Sequence, residues 1–205
     1  MKMIVMRHGQ TAWNLAHRIQ GHTDIPLDER GCRQAEAIAE RLRDMNISAV
    51  YTSPLQRARK TAETIAAKSG CPVIDDERLI ERYFGDWEGE SIDAVTHSDP
   101  QIWRQWIETP SCCAVPKGES LQSVLERSVS LTEALIQKHK GENIVLVSHA
   151  NPAKLILLHY ARIPLDCIHK IRLDNCSYSE LRSKEGEFTL ATLNETFFLK
   201  ERGLL

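Results

Sequence analysis

The chain has 205 residues, 42% hydrophobic and 26% charged, with a formal net charge of −2. That length suits one domain whose core needs no disulfide or metal staple, and the near-neutral balance gives no global attraction to nucleic acid or an anionic membrane. Lys2 and Arg7 bracket too short an apolar run for a signal-peptide core, and no run approaches the ~20 residues of a membrane span, so the expected address is cytoplasmic. The six cysteines are irregularly spaced and expected to be reduced; the neighbours Cys112 and Cys113 are poorly placed to pair with each other.

In chain order, Met3 to Arg7 predicts a buried strand. Residues 31–44 place Ala35, Ile38, Ala39 and Leu42 on one helical face after a turn at Asp28 to Gly31. Ile47 to Thr52 reads as a second strand, and 55–69 as a helix with Ala58, Ala62, Ile65 and Ala66 inward, stopped by Gly70 and Pro72. Val73-Ile74 is a short strand. The stretch 91–118, with Trp103, Trp106, Pro110, Pro116 and Gly118, reads as a helix plus loops covering one end of the sheet. A long amphipathic helix is predicted at 120–139, a strand at Ile144 to Val147 and a helix at 152–162. Weaker strands are expected near 168–173, 177–182 and 188–193, the last antiparallel at an edge. This alternation predicts an α/β fold with a mostly parallel sheet.

Three predicted strand ends carry chemistry. Arg7-His8-Gly9-Gln10-Thr11 follows the first strand, where open α/β sheets bind ligands; the Arg7 fork suits phosphate oxygens, and Gly9 lets the backbone approach closely. Thr52-Ser53-Pro54-Leu55-Gln56-Arg57 follows the second and puts Arg57 in the first turn of a helix, a position a bound anion would explain. Val147-Ser148-His149-Ala150-Asn151-Pro152 puts a second histidine at another strand end. If these strands are neighbours, the side chains converge. Glu81 is a natural proton donor for such a cluster, but Asp86 and Glu88 lie close by, and spacing alone does not choose among them.

On Arg7-His8-Gly9, Asn14, Gly21-His22-Thr23-Asp24, Arg57, Glu81 and His149, taken together and in order, the chain resembles the histidine phosphatase superfamily, in the branch that includes cofactor-dependent phosphoglycerate mutase. The resemblance spans essentially the whole chain. It implies a three-layer αβα sandwich made by a single domain, 1–205, with 91–118 as a cover segment over the active site. It implies that His8 is the nucleophile and Glu81 the acid/base. Arg7, Arg57 and His149 then form the phosphate pocket, helped by Asn14, Gln20 and Gly21 and by the backbone at Ala150 or Asn151.

That set suits phosphoryl transfer. Cations offset the charge of a phosphate monoester and stabilise the transferring group, and by repelling further charge they hold His8 neutral and nucleophilic. No HExxH or paired HxH motif appears, and neither a metal nor a cofactor is called for. Phosphatase is expected over mutase: the stretch 91–118 offers only Arg104 and Lys117 as cations beside His97, and Phe84-Gly85-Asp86-Trp87-Glu88-Gly89 resembles the phosphatase branch. The partner is then a small phosphorylated metabolite. α-Ribazole phosphate leads on the resemblance, with sugar phosphates and phosphoserine open, and Tyr83, Trp103 and Trp106 are available to stack on a ring. A homodimer through Phe197, Phe198 and Leu199 competes with their simply covering the chain's own sheet. His17, His22, His97, His139, His159 and His169 carry no expected role.

Overall fold

The computed structural model describes residues 1–184 and 187–205. Its strands are β1 (Lys2–Arg7), β2 (Ile47–Thr52), β3 (Val73–Asp75), β4 (Asn143–Ser148), β5 (Tyr178–Lys184) and β6 (Glu187–Glu195). Its helices are α1 (Ala12–Leu15), α2 (Glu29–Leu42), α3 (Gln56–Ser69), α4 (Ile92–Ser98), α5 (Pro100–Glu108), α6 (Leu121–Lys138), α7 (Ala150–Tyr160) and α8 (Phe197–Lys200). The strands form one sheet in the order β3-β2-β4-β1-β5-β6. β1 to β4 run parallel, and β5 and β6 are antiparallel additions, β6 at the edge.

Alternation along the strands sorts two apolar layers. Met3, Val5, Ile144 and Leu146 face α6 and α7, whereas Ile4, Met6, Val145 and Val147 face α2, α3 and α8. Both faces of β1 and β4 are therefore covered, which explains their continuous apolar runs. Fully burying a side chain of this size contributes about 1.5–3 kcal/mol. Helix ends follow local chemistry. Asp28 caps α2 by accepting from Gly31 N, Ser120 caps α6 by accepting from Ser123 N, and α3 stops at Gly70 in the left-handed region.

Four features differ from the sequence reading. The stretch expected as a strand near 168–173 begins as a 3-10 helix, Leu165–Lys170, after Pro164. Its buried Ile168 and Ile171 are three residues apart, a spacing that suits a 3-10 turn. The stretch 91–118 holds two helices, α4 and α5, broken at Asp99-Pro100, where one helix was expected. Pro152 does not start α7, which begins two residues earlier at Ala150; proline is tolerated in a first turn because those N–H groups lack helical partners. The short α8 went unanticipated, and it resolves part of the C-terminal apolar cluster: Phe198 and Leu199 are buried in the chain's own core, while Phe197 is exposed.

Candidate active site

In sheet order β4 lies between β2 and β1, so the loops bearing Arg57, His149 and His8 leave the same sheet edge side by side. A cavity of about 400 Å³ opens there, lined by Arg7, His8, Asn14, Gln20, Gly21, Arg57, Glu81 and Ala150 among others. A wider groove of about 1000 Å³, between α6, α7 and β6, contains none of these groups.

His8 is 3% exposed, and its Nδ1 lies 2.6 Å from Gly9 O. A carbonyl only accepts, so Nδ1 carries the proton and Nε2 keeps the lone pair. Burial, then Arg57 and Arg7, hold the His8 pKa well below 6.5, so the ring is neutral. The expected effect of the cations is present, with burial ahead of them. Gly9 is explained differently from the sequence reading: a Cβ there would sit 2.6 Å from Gly31 O, so the space is needed by the start of α2.

Arg57 is fully buried; Nη2 donates to Gly21 O at 2.7 Å, Nη1 to Thr23 O at 2.9 Å and Nε to His149 Nδ1 at 3.2 Å. Burial lowers its pKa to about 10, with Glu81 and Asp24 opposing, so it stays charged at neutral pH. Arg7 Nη1 donates to Leu173 O at 3.0 Å, while its buried Nε has no partner among the described residues. Such an orphaned donor costs about 1–3 kcal/mol unless a ligand or water meets it.

His149, expected in the phosphate pocket, is not among the residues lining the cavity. It is fully buried, and both ring nitrogens are engaged: Nδ1 accepts from Arg57, and Nε2 lies 2.8 Å from Ser53 Oγ. Its ring centroid is 5.0 Å from that of His8. Gly21, at φ 53°, lines the cavity and gives its carbonyl to Arg57. Gln20 Oε1 accepts from Thr11 Oγ1, and Asn14 Oδ1 accepts from Thr11 N and Asn175 Nδ2.

The three carboxylates are placed differently, and Glu81 alone among them lines the cavity. Its Oε1 accepts from Arg82 N at 2.7 Å, Asn151 Nδ2 at 3.0 Å and Asn151 N at 3.3 Å. The last contact sets the carboxylate at the N-terminus of α7, a favourable place for negative charge. Asp86 instead pairs with Lys117 away from the cavity. Glu88 accepts from His22 N, Thr23 N and Phe84 N, tying the loop that holds Arg57 to the loop that holds Glu81.

Phe84, Trp87, Trp103 and Trp106 form an aromatic wall, with centroids 5.5 Å (Phe84–Trp106) and 6.0 Å (Trp87–Trp106) apart. Tyr83 does not join it; it is exposed and packs on His22. Sequence reasoning missed four contributors. Asn175 lines the cavity and donates to His8 O at 3.0 Å. Ser53 contacts His149. Lys154, one turn into α7, has its pKa lowered to about 8 by burial and by Arg7, with Glu81 opposing. His169 packs on Trp106 at 5.1 Å, and burial and Lys154 lower it to about 4. Ser53 lies in the Thr52-to-Arg57 stretch singled out for Arg57 alone, whereas Asn175, Lys154 and His169 sit in no recognisable motif. Among the described residues, no three His, Cys, Asp or Glu side chains group as a metal-ion site.

Residues 3–196 match the model of the histidine phosphatase superfamily, branch 1. The chain belongs to that superfamily. Two curated relatives of this histidine phosphatase cover most of it. One is phosphoserine phosphatase 1 of Hydrogenobacter thermophilus, 33% identical over 98% of this chain and 95% of the relative. The other is a probable phosphoglycerate mutase, GpmB, of Serratia proteamaculans, 34% identical over 91% and 86%. Two solved structures share the superfamily fold. Bacillus stearothermophilus YhfR has a TM-score of 0.92 at 30% identity, covering 97% of this chain and 98% of its own. The α-ribazole phosphatase from Shigella flexneri has a TM-score of 0.85 at 27% identity, covering 95% and 96%.

Proposed function

We propose that this enzyme is a phosphomonoesterase that takes the phosphoryl group of a small metabolite onto His8 Nε2 and passes it to water. One observation carries the reading: a neutral His8, its Nδ1 spent on Gly9 O, lines a cavity beside two buried guanidiniums, Arg7 and Arg57. In the first half, Nε2 bonds to phosphorus as the ester P–O bond breaks. The leaving oxygen takes the electron pair, and a proton from Glu81. In the second half, the Glu81 carboxylate takes a proton from water as the water oxygen attacks phosphorus, and the P–N bond returns its electrons to His8. Arg7 and Arg57 hold the equatorial oxygens in both halves. His149 acts on the phosphate through Arg57, whose Nε it accepts.

Water is the proposed acceptor because little in the cavity wall would hold a charged product for a second transfer. Lys117 of the cover is paired to Asp86, and the cations lining the cavity are Arg7, Arg18 and Arg57. The aromatic wall favours a ring-bearing alcohol, and α-ribazole phosphate is the leading candidate substrate. The test is kcat/KM over α-ribazole phosphate, phosphoserine, 3-phosphoglycerate, a sugar phosphate and p-nitrophenyl phosphate. We expect inorganic phosphate from several and the highest value with α-ribazole phosphate. A preference for phosphoserine of tenfold or more would replace the substrate, and production of an isomeric phosphoester without free phosphate would replace the reaction.

A further inference from the structure

Arg127, on α6, does not line the active-site cavity, yet all three guanidinium nitrogens are used around the loop that carries Glu81. Nη1 donates to Arg78 O at 2.9 Å and to Ile80 O at 2.6 Å, and Nη2 donates to Glu81 O at 3.0 Å. The same guanidinium forms a two-pronged pair with Glu119, Nε to Oε1 at 2.9 Å and Nη2 to Oε2 at 3.0 Å, both side chains only 18% exposed. Glu119 in turn grips the residues just after Glu81. Its backbone N donates to Tyr83 O at 2.8 Å, and its O accepts from Arg82 Nε at 2.7 Å. Arg82 is fully buried with no carboxylate partner among the described residues, and its guanidinium carbon lies 4.6 Å over the Trp106 ring. Carbonyls on both sides of the Glu81 side chain are thus fixed from outside, and the same network ends on the aromatic wall.

We infer that Arg127, locked by Glu119, is a positioning residue that sets the Glu81 carboxylate against the leaving oxygen; this rests on the acid role proposed above for Glu81. Proton transfer requires hydrogen-bond reach, and misplacement by about 1 Å can cost ~100-fold. The burial that raises the Glu119 carboxyl is outweighed by Arg127, which leaves it below the ordinary value, so the pair is charged across neutral pH. A brace that served only stability would carry no dependence on the leaving group.

The experiment compares kcat/KM for an alkyl phosphate that the enzyme hydrolyses with kcat/KM for p-nitrophenyl phosphate, whose leaving group needs little protonation. The proteins are wild type, Arg127→Ala, Arg127→Lys, Glu81→Gln and the double variant Arg127→Ala/Glu81→Gln. Arg127→Ala is expected to lower the alkyl value by about 100-fold and the aryl value by less than about 5-fold. Arg127→Lys, which keeps charge but not the fork, should fall between, and it serves if the alanine variant does not fold. The double variant should discriminate between the two substrates no more than Glu81→Gln alone. Equal loss on both substrates in Arg127→Ala and Arg127→Lys, or discrimination that multiplies in the double variant, would overturn the positioning role. Absence of leaving-group dependence in Glu81→Gln itself would instead overturn the acid assignment.

Discussion

Arg57 Nε approaches His149 Nδ1 at 3.2 Å, so the second histidine of the site turns a lone pair, not a proton, toward the arginine. The proton must then sit on Nε2, directed to Ser53 Oγ at 2.8 Å. Ser53→Ala would leave that buried N–H without an acceptor, costing about 1–3 kcal/mol. A lower denaturant midpoint together with a raised inhibition constant for inorganic phosphate is expected. Unchanged stability would show that the tautomer assignment is wrong.

His8→Ala should abolish both turnover and acid-labile labelling by a phosphorylated substrate. Labelling that persists undiminished would place the nucleophile elsewhere.

Both buried histidines make stability depend on pH. Burial first, then Arg57, hold His8 and His149 well below 6.5 in the folded chain. An unfolded chain binds protons near 6.5, so below that value unfolding takes up protons that the folded state refuses. Stability is therefore fully present above about pH 6.5 and falls as pH drops toward the folded values, by up to about 1.4 kcal/mol per pH unit for each histidine. Thermal unfolding between pH 7.5 and 5.5 should show this slope, reduced in His8→Asn. A flat profile in the wild type would mean that the rings are not held neutral.

Turnover should survive chelation. The guanidiniums of Arg7 and Arg57 already supply positive charge at the cavity, so activity in excess EDTA is expected to match the untreated enzyme. Loss that is restored by a divalent ion would require a different catalyst.

Glu81→Gln should slow kcat/KM for alkyl phosphates by about 100-fold or more while sparing p-nitrophenyl phosphate. Equal slowing would remove the acid role.

Much of this site was legible because its parts sit at strand ends, where period and turn chemistry mark their places. Arg7 ends an apolar strand, His8, Arg57 and His149 each follow one, and the sheet order makes those strands adjacent. What stayed hidden depends on contacts between distant segments. Asn175 reaches His8 O across 167 positions, and Arg127 reaches Glu81 O across 46. Glu81 could not be separated from Asp86 and Glu88 because all three lie in one irregular stretch without periodicity. The segment 168–173 was misread because buried Ile168, Ile171 and Leu173 give an apolar signal that strand and 3-10 helix share.

Gly9 and Gly31 leave no slack beneath His8, since a Cβ on either would meet the other segment's backbone within 2.6 Å. The aromatic wall comes from a different stretch, Phe84 to Trp106, tied to the floor through Arg82 over Trp106, through Glu88 to His22 N and Thr23 N, and through backbone bonds between residues 17–19 and 89–92. Arg7, His8 and Arg57, the residues proposed to handle the phosphoryl group, thus lie on stretches of chain separate from the wall. Grafting a foreign 91–118 stretch onto this floor should change which alcohol is released while sparing the phosphohistidine step. A lineage could diversify its substrates in the same way, by rewriting the roof and leaving the floor alone.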